Sequence, residues 1–395
     1  MRGSHDHQGK HRFGRISDHL RYPHDEGGPP SKGCPPCGAA QKGRGHTDRQ
    51  NQHPRFRFKT HTGNRLWGKT LNPWDPSRTP GGSSGGDAVA VATGMVPLGI
   101  GNDYGGSLRC PAQFCGTATV RPTLGRVPDH ISLMPAEPAI TLQLFMVQGP
   151  ITRQVRDLKA VLKEMSGPDA RDPRWVPAPL QGPTLPRPIG IAVTTDPGGQ
   201  GTDPAIADKV RKAARLLMDA SYRVEEVEPS SVMEAMNRWL EATGAELQAL
   251  MGPEIESYMS PDALKFLKYW IEVFPENNLM AYMQSLAERN RIAREWAQFQ
   301  EHHPLLLGPV NTIQPFKVGY DILSRESFQE VILSFRLNMT VNLLGLPSVV
   351  VPVGLVDGLP QAVQIIGPRF REDLCLGAAE LIEGSIGSLT PIDPK

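Results

Sequence analysis

A strand, a helix and a second strand follow one another between Ile189 and Pro229, and this succession constrains the fold most strongly. "IGIAV" has the continuous apolar composition of a buried strand. "PAIADKVRKAARLLMDA" then repeats apolar residues at helical spacing, and "YRVEEVEP" returns to a strand pattern. Two strands joined through a helix of this length predict a crossover unit, and therefore an α/β fold.

Other patterns extend this prediction along the chain. "TRQVRDLKAVLKEMSG" predicts a helix with one apolar face that Gly167 ends, and "DAVAVATG" predicts a helix of small residues. Three helical stretches between Ser231 and Phe299 predict a helical layer or cap beside the sheet. "SVVVPVG" and "QAVQIIG" flank Asp357-Gly358, which is typical of a hairpin turn. "EDLCLGAAELIEG" predicts a closing helix with Gly384 just past its end.

The first sixty residues differ in composition from the rest of the chain. They carry 12 Lys or Arg against 5 Asp or Glu, whereas the other 335 residues carry 30 against 36. They also contain seven of the eleven histidines and show no amphipathic period. Such a polar, Pro/Gly-rich segment cannot bury enough surface to fold alone. We therefore divide the chain into an anomalous segment, residues 1–58, and one domain, residues 59–395.

The charge and composition of the whole chain exclude several classes of protein. A formal net charge of +1 argues against nucleic acid or an acidic membrane as an obligatory partner. The sequence contains no apolar run of about 18 residues and no apolar leader, so we expect a cytoplasmic protein. Five cysteines are too few and too scattered for a disulfide framework.

Two serines lie in separate glycine turns of "GGSSGGDAVAVATGMVPLGIGNDYGGSLRCPA", from Gly81 to Ala112. A serine hydroxyl becomes a good nucleophile only when a base takes its proton, and the resulting tetrahedral intermediate needs N–H donors around its oxyanion. In "DYGGS", Gly105 and Gly106 let successive backbone N–H groups turn into a cavity beside the Ser107 hydroxyl. The pattern favours nucleophilic catalysis by Ser107.

Three other interpretations of these turns explain fewer residues. A flexible linker seldom leads straight into a small apolar helix. A P-loop would need a Lys-Ser or Lys-Thr pair that is absent here. A dinucleotide turn would need a different glycine spacing and an acidic residue about 20 positions further on.

Five segments within residues 64–395 carry a resemblance to a known family: "PGGSSGG", "LGIGNDYGGSLRCPAQFCG", "RPTLGRVP", "GLPSVVVPVG" and "GLPQAVQIIG". On these segments the chain resembles the amidase signature family, hydrolases that cleave carbon–nitrogen bonds of amides with a Ser-Ser-Lys triad. The resemblance implies that Ser107 is the nucleophile that forms the acyl-enzyme. It implies that Ser83, often on a cis peptide in this family, is the bridging serine that relays the proton.

The resemblance also assigns the residues around Ser107. The backbone N–H groups of Tyr104, Gly105, Gly106 and Ser107 itself are expected to bind the oxyanion. Asp103 and Arg109 are expected to support the loop, and Tyr104 stands where many members have threonine. The implied fold is a single α/β domain with a mixed twisted sheet covered by helices.

The resemblance implies hydrolysis of a linear amide to a carboxylate and ammonia or an amine, with no metal or organic cofactor. The partner expected is a small-molecule amide, without nucleic acid or membrane, and a homodimer is left open. The acyl group is not identified by the sequence. We expect residues 231–299 and "HHPLLLGPVNTIQPF" to select it, because such segments vary the walls around a fixed serine site.

The triad lysine is missing at the expected place. The family has it in a strand-end motif of the type "VPMTIKES", roughly 75 residues before the bridging serine. Here that distance falls on Gln8 and Gly9, within "GSHDHQGKH". Lys10 is adjacent, but no strand pattern surrounds it to bury it and lower its pKa.

A shifted reading frame accounts for this absence. If each codon is read one base further on, "GSHDHQGKH" can encode V-P-M-T-I-K-E-S, and Cys37–Phe56 can encode the helix and strand that lead to "GKTN" in the family. We therefore interpret residues 1 to about 58 as an out-of-frame translation, with the lysine codon across Gln8 and Gly9. The chain in its present frame would then lack its base, its first strand and the residues that precede them, and it would have little or no activity.

Alternatives remain open at this point. A histidine could replace the lysine, although nothing ties His61, His130, His302 or His303 to Ser107. "CPPC" at Cys34–Cys37 has the spacing of half a zinc site, but a single pair is a weak signal. The chain could also be a non-catalytic relic of an amidase, or the amidase subunit of a glutamine-dependent tRNA amidotransferase.

Overall fold

A computed structural model gives the structure of the chain. It describes residues 60–64, 68–130, 137–250, 259–274 and 278–389. The anomalous segment, residues 1–58, lies outside the described residues, and so do Gln8, Gly9 and the "CPPC" motif.

An eight-stranded mixed sheet organises the described residues, in the order β3-β5-β4-β9-β10-β8-β6-β7. Strand β6 is parallel to β7 and β8, and the other neighbours in the sheet are antiparallel. Two short strands, β1 and β2, form a separate pair. The strands are β1 (Gly63–Asn64), β2 (Gly68–Lys69), β3 (Leu98–Asp103), β4 (Ala118–Arg121), β5 (Val147–Thr152), β6 (Gly190–Val193), β7 (Arg223–Glu226), β8 (Leu305–Pro309), β9 (Ser348–Val356) and β10 (Leu359–Ile366).

Helices cover both faces of this sheet, which confirms the predicted α/β class. They are α1 (Gly85–Ala92), α2 (Arg109–Cys115), α3 (Ile140–Phe145), α4 (Val155–Met165), α5 (Pro204–Asp219), α6 (Val232–Leu250), α7 (Pro261–Val273), α8 (Leu279–His302), α9 (Arg325–Ser334), α10 (Arg336–Leu344) and α11 (Glu372–Ile386). Side chains alternate between the faces of a strand. Accordingly, Leu305 and Leu307 join the core under α4, α5 and α11, whereas Leu306 joins the core under α6 to α10.

The patterns read from the sequence correspond to these elements. Helix α5 connects the parallel strands β6 and β7, as the crossover predicts. Helix α4 buries the predicted face of Val155, Leu158, Leu162 and Met165. The three helical stretches are α6, α7 and α8.

The two ends of the C-terminal region differ in how well they were predicted. The hairpin of β9 and β10 turns at Asp357 and Gly358, whose φ angles of 50° and 77° are both positive, as a tight hairpin turn requires. The predicted end of α11 at Gly384 is wrong, because the helix continues to Ile386. Gly387 ends it instead, with a φ of 82° and an N–H donated to Glu383 O at 2.7 Å. A glycine inside a helix costs only about 1 kcal/mol relative to alanine, so Gly384 alone does not stop it.

Candidate active site

Ser107 lies in the turn between β3 and α2, and it is half-buried. Asp103 ends the strand, and Arg109 begins the helix. The backbone N–H of Ser84 donates to the carbonyl of Ser107 at 3.2 Å. This bond joins the two glycine turns that the sequence analysis singled out, although they are more than twenty residues apart.

Ser83 occupies the other turn, just before α1. The peptide bond between Gly82 and Ser83 is cis. The Ser83 hydroxyl is buried and has no hydrogen-bond partner among the described residues. A buried hydroxyl normally has a partner, so this Oγ is a polar atom poised for a further contact.

Thr62 holds the Ser83 turn in place. Its Oγ1 lies 3.1 Å from the Gly81 carbonyl oxygen and 3.3 Å from that of Ser83, and it accepts a 3.2 Å hydrogen bond from the N–H of Gly85. The sequence analysis did not identify Thr62 as a site residue. Its only signal was its position in a short polar stretch before the glycine turn.

Asp103 and Arg109 form a fully buried ion pair behind Ser107. Arg109 Nη2 lies 2.9 Å from Asp103 Oδ1, and Arg109 Nε lies 3.0 Å from Oδ2. Burial alone would raise the pKa of the Asp103 carboxyl, but Arg109, with Arg121 and Asn342, holds this pKa well below its usual range. Asp103 is therefore ionised and accepts hydrogen bonds from the turn that carries Ser107.

Three buried amide side chains that the sequence analysis missed complete this support. Asn342 Nδ2 donates to the Asp103 carboxylate at 2.9 Å, and Arg109 donates to the Asn338 carbonyl at 3.0 Å and to Gln364 Oε1 at 3.1 Å. Asn338 and Asn342 lie four residues apart on α10, so they share one face of the helix. Two amides at this spacing in an otherwise apolar stretch are the signal that could have revealed them.

The backbone N–H groups of the serine turn differ in their bonding. The N–H of Gly106 donates to Asp103 Oδ1 at 3.0 Å. The N–H groups of Gly105 and Ser107 make no hydrogen bond within the described part of the chain. Two donors are therefore available, one on each side of Gly106, and a role for the Gly106 N–H at an oxyanion stays a prediction that requires its bond to Asp103 to open.

Gly106 is required by the geometry of this turn. Its φ is 118°, a conformation that residues with a side chain rarely adopt. A Cβ at this position would also lie only 3.0 Å from Asn338 Nδ2 and from Phe335 Cδ1. The glycines of "DYGGS" thus allow both the backbone conformation and the close contact with α10.

The histidines of the described residues make their contacts elsewhere. His61 Nδ1 lies 2.9 Å from Thr79 Oγ1, and His303 Nε2 lies 2.8 Å from Glu225 on β7. Strands β3 and β7 are at opposite edges of the sheet, so His303 is remote from Ser107. Among the described residues, no group of His, Cys, Asp and Glu is arranged to hold a metal ion. None of the helices in the described ranges combines the length and the apolar composition of a membrane span.

Comparison with known proteins decides the family. The Amidase family model matches residues 50–376, which is most of the chain. The chain belongs to the amidase signature family. The serine turns, the buried Asp103–Arg109 pair and α10 all lie within the matched residues, whereas Gln8 and Gly9 precede them.

Relatives with described activities are similar over the same region. Indoleacetamide hydrolase from Bradyrhizobium diazoefficiens is 41% identical over 340 residues, which cover 85% of this chain and 64% of that protein. One component of the glutamyl-tRNA(Gln) amidotransferase from Lacticaseibacillus casei is 30% identical over 367 residues, which cover 85% of this chain and 74% of that protein. The chain thus spans just under two thirds of the length of the first hydrolase.

Solved structures agree with the amidase signature fold. A bacterial aryl acylamidase of the amidase signature family superimposes with a TM-score of 0.69 and 28% identity, over 83% of this chain and 70% of that one. A 6-aminohexanoate cyclic dimer hydrolase complexed with substrate gives a TM-score of 0.70 and 26% identity, over 86% and 74%. These matches support the single mixed sheet described above.

Proposed function

We propose that this chain derives from an amidase that hydrolyses a linear carboxylic amide through an acyl ester on Ser107. The observation that carries the proposal is the serine turn, in which a half-buried Ser107 lies between the unpaired N–H groups of Gly105 and Ser107. The buried Asp103–Arg109 pair fixes this turn from behind. Preorganised donors of this kind supply much of the catalytic power of acyl-transfer enzymes.

The reaction follows from these groups. Ser107 Oγ attacks the amide carbonyl carbon as its proton passes to Ser83 and on to the lysine. The tetrahedral oxyanion binds the free N–H groups of the turn. The carbon–nitrogen bond then breaks, the amine leaves with a proton, and water hydrolyses the acyl-Ser107 ester to the carboxylate and free serine. No metal or organic cofactor takes part.

The base is the missing element of this proposal. The unpartnered, buried Oγ of Ser83 supports a relay whose next member is absent from the described residues. The family match begins at residue 50, which supports a change of reading frame upstream of about residue 58. We propose that the chain in its present frame has little or no amidase activity, and that a frame-restored chain with a lysine codon across Gln8 and Gly9 is an active enzyme.

We further propose an aromatic primary amide as the substrate. The 41% identity with an indoleacetamide hydrolase supports this, because it exceeds the identity with the amidotransferase components. Aromatic side chains also surround the turn, since the Tyr104 ring lies 5.2 Å from that of Trp239 and 6.4 Å from that of Phe145. Indoleacetamide is therefore the first substrate to test.

Restoring the frame should create activity. We expect the frame-restored chain to hydrolyse indoleacetamide at least about 1,000-fold faster than the present-frame chain, because a positioned base contributes two to four orders of magnitude. Release of ammonia, followed by a coupled assay, measures both rates. Equal rates for the two chains would contradict the assignment of the missing lysine, and an absence of hydrolysis in both would contradict the proposed function.

Ser83 should be essential for fast turnover without being essential for the fold. In the frame-restored chain, Ser83→Ala should lower kcat by about 100-fold or more, the size of a lost proton-transfer group. Its unfolding midpoint in urea should change little, because the Ser83 hydroxyl makes no hydrogen bond within the described residues. A Ser83→Ala variant with near-normal kcat would argue against the relay.

The remaining assignments are also proposals. We propose that the enzyme acts in the cytoplasm on a small amide, without nucleic acid or a membrane, and the acidic balance of residues 61–395 supports this. A homodimer is left open. Copurification with partner proteins and tRNA-dependent turnover would favour the amidotransferase instead, whereas a frame-restored chain that stays inactive would favour the relic.

A further inference from the structure

We propose that Trp239 on α6 is a positioning residue that aims the N–H of Gly105 at the oxyanion. The inference rests on the proposed amidase reaction, because it assigns a role within the same turn. Trp239 lies more than 130 residues from this turn in the sequence, and the chain motifs do not include it.

The argument begins with one hydrogen bond. Trp239 Nε1 donates to the carbonyl oxygen of Tyr104 at 3.1 Å, and both residues are buried. That carbonyl belongs to the same peptide unit as the N–H of Gly105. A trans peptide is planar, and its C=O and N–H point in opposite directions. Fixing the Tyr104 carbonyl against Trp239 therefore fixes the direction of the Gly105 N–H on the other side of the plane.

The second available donor is fixed in a similar way. The N–H of Cys110 donates to the Gly106 carbonyl at 2.8 Å, which sets the plane that carries the Ser107 N–H. In this case the anchor is the backbone of α2, so no side chain can change it without disturbing the helix. The anchor of the Gly105 plane is a side chain, and it can be tested by substitution.

Helix α6 holds Tyr104 at two points. Besides the bond from Trp239 to the carbonyl, Thr243 Oγ1 lies 3.0 Å from the Tyr104 hydroxyl, and Thr141 Oγ1 lies 2.6 Å from it. Trp239 and Thr243 are four residues apart, so they face the same way from α6. Tyr104 is thus held at its backbone and at the tip of its ring, and its peptide unit has little freedom to rotate.

Packing alone is the competing role for Trp239. Its ring touches the turn directly, because a Cβ added to Gly105 would lie 3.0 Å from Trp239 Cζ2. A phenylalanine would keep an aromatic ring against Gly105 and remove the N–H donor. Trp239→Phe therefore separates the hydrogen bond from most of the packing.

Trp296 on α8 offers a matched control. It is buried to 1% exposure, compared with 3% for Trp239, and its Nε1 donates to the Ser230 carbonyl at the same distance of 3.1 Å. Its bond is to a residue outside the serine turn. Trp296→Phe removes an equivalent hydrogen bond and the same number of ring atoms from the same core.

The first experiment measures steady-state hydrolysis of indoleacetamide by the frame-restored full chain. Removing an oxyanion donor costs about 100- to 1,000-fold in kcat, and a donor that is present but loosely aimed should cost about 10- to 100-fold. We expect this fall in kcat for Trp239→Phe with KM within threefold, and we expect both values within twofold for Trp296→Phe. An unchanged kcat, a rise in KM alone, or equal losses in both variants would overturn the proposal.

A second experiment uses the present-frame chain and needs no turnover. Phenylboronic acid forms a bond from boron to Ser107 Oγ, the Oγ proton passes to solvent, and a boron-bound oxygen takes the place of the oxyanion. We expect Trp239→Phe to weaken this binding about tenfold by titration calorimetry, and Trp296→Phe to leave it unchanged. Equal binding by all three chains would overturn the role of Trp239. Binding that persists in Ser107→Ala, or no binding by the unsubstituted chain, would overturn the proposed function, and with it the role that rests on it.

Discussion

Replacing Ser107 with alanine should abolish amide hydrolysis by the frame-restored chain. The expected loss in kcat is about 10⁶-fold, because the loss of the nucleophile removes the acyl-enzyme route as a unit. The substitution deletes one oxygen from a half-buried side chain, so the fold should persist. Progress curves with indoleacetamide, combined with the unfolding midpoint in urea, measure the two effects together.

A serine outside the site provides the control for this variant. Ser385 lies on α11, where its Oγ donates to the Leu381 carbonyl at 3.0 Å. Ser385→Ala should leave kcat within twofold of the unsubstituted chain. Residual hydrolysis above about 1% in Ser107→Ala would mean that another group attacks the amide, since a replaced nucleophile leaves far less than this.

Breaking the buried ion pair should have the largest effect on stability. Arg109→Met leaves the Asp103 carboxylate buried beside Arg121 without the guanidinium that now contacts it through two nitrogens. Removing one partner of a buried pair typically costs about 3–5 kcal/mol. We expect a loss of this size in the free energy of unfolding of the present-frame chain, measured in urea, because the pair lies within the matched domain.

An exposed pair supplies the comparison. Arg211 Nη1 lies 2.9 Å from Asp208 Oδ1, but both side chains are largely exposed on α5. Arg211→Met should cost less than about 1 kcal/mol, because water screens such pairs. If Arg109→Met cost no more than this control, the Asp103–Arg109 pair would not be what fixes the serine turn.

Local patterns in the sequence were sufficient to predict much of the fold. The crossover of β6, α5 and β7 and the helix α4 follow from the spacing of apolar residues, which local sequence determines. The hairpin at Asp357-Gly358 follows from turn chemistry. The end of α11 was misplaced because Gly384 and Gly387 are both compatible with a helix end, and only the tertiary structure distinguishes them.

The site was predicted only in part, for a physical reason. "DYGGS" is contiguous, so its glycines and Ser107 could be recognised together. The groups that hold it come from α6, α10 and β10, which are distant in sequence and meet the turn only when the sheet forms. The bond between the Gly106 N–H and Asp103 was also unpredictable, because it depends on the conformation of the turn rather than on its composition.

The assignment of Ser107 as the nucleophile, activated by a lysine that the present frame lacks, is tested most directly by covalent labelling. Both full chains would be treated with a fluorophosphonate, digested and mapped by peptide mass spectrometry. The account predicts one adduct on Ser107 in the frame-restored chain and none in the present-frame chain. An adduct on another residue, or equal labelling of Ser107 in both chains, would contradict it.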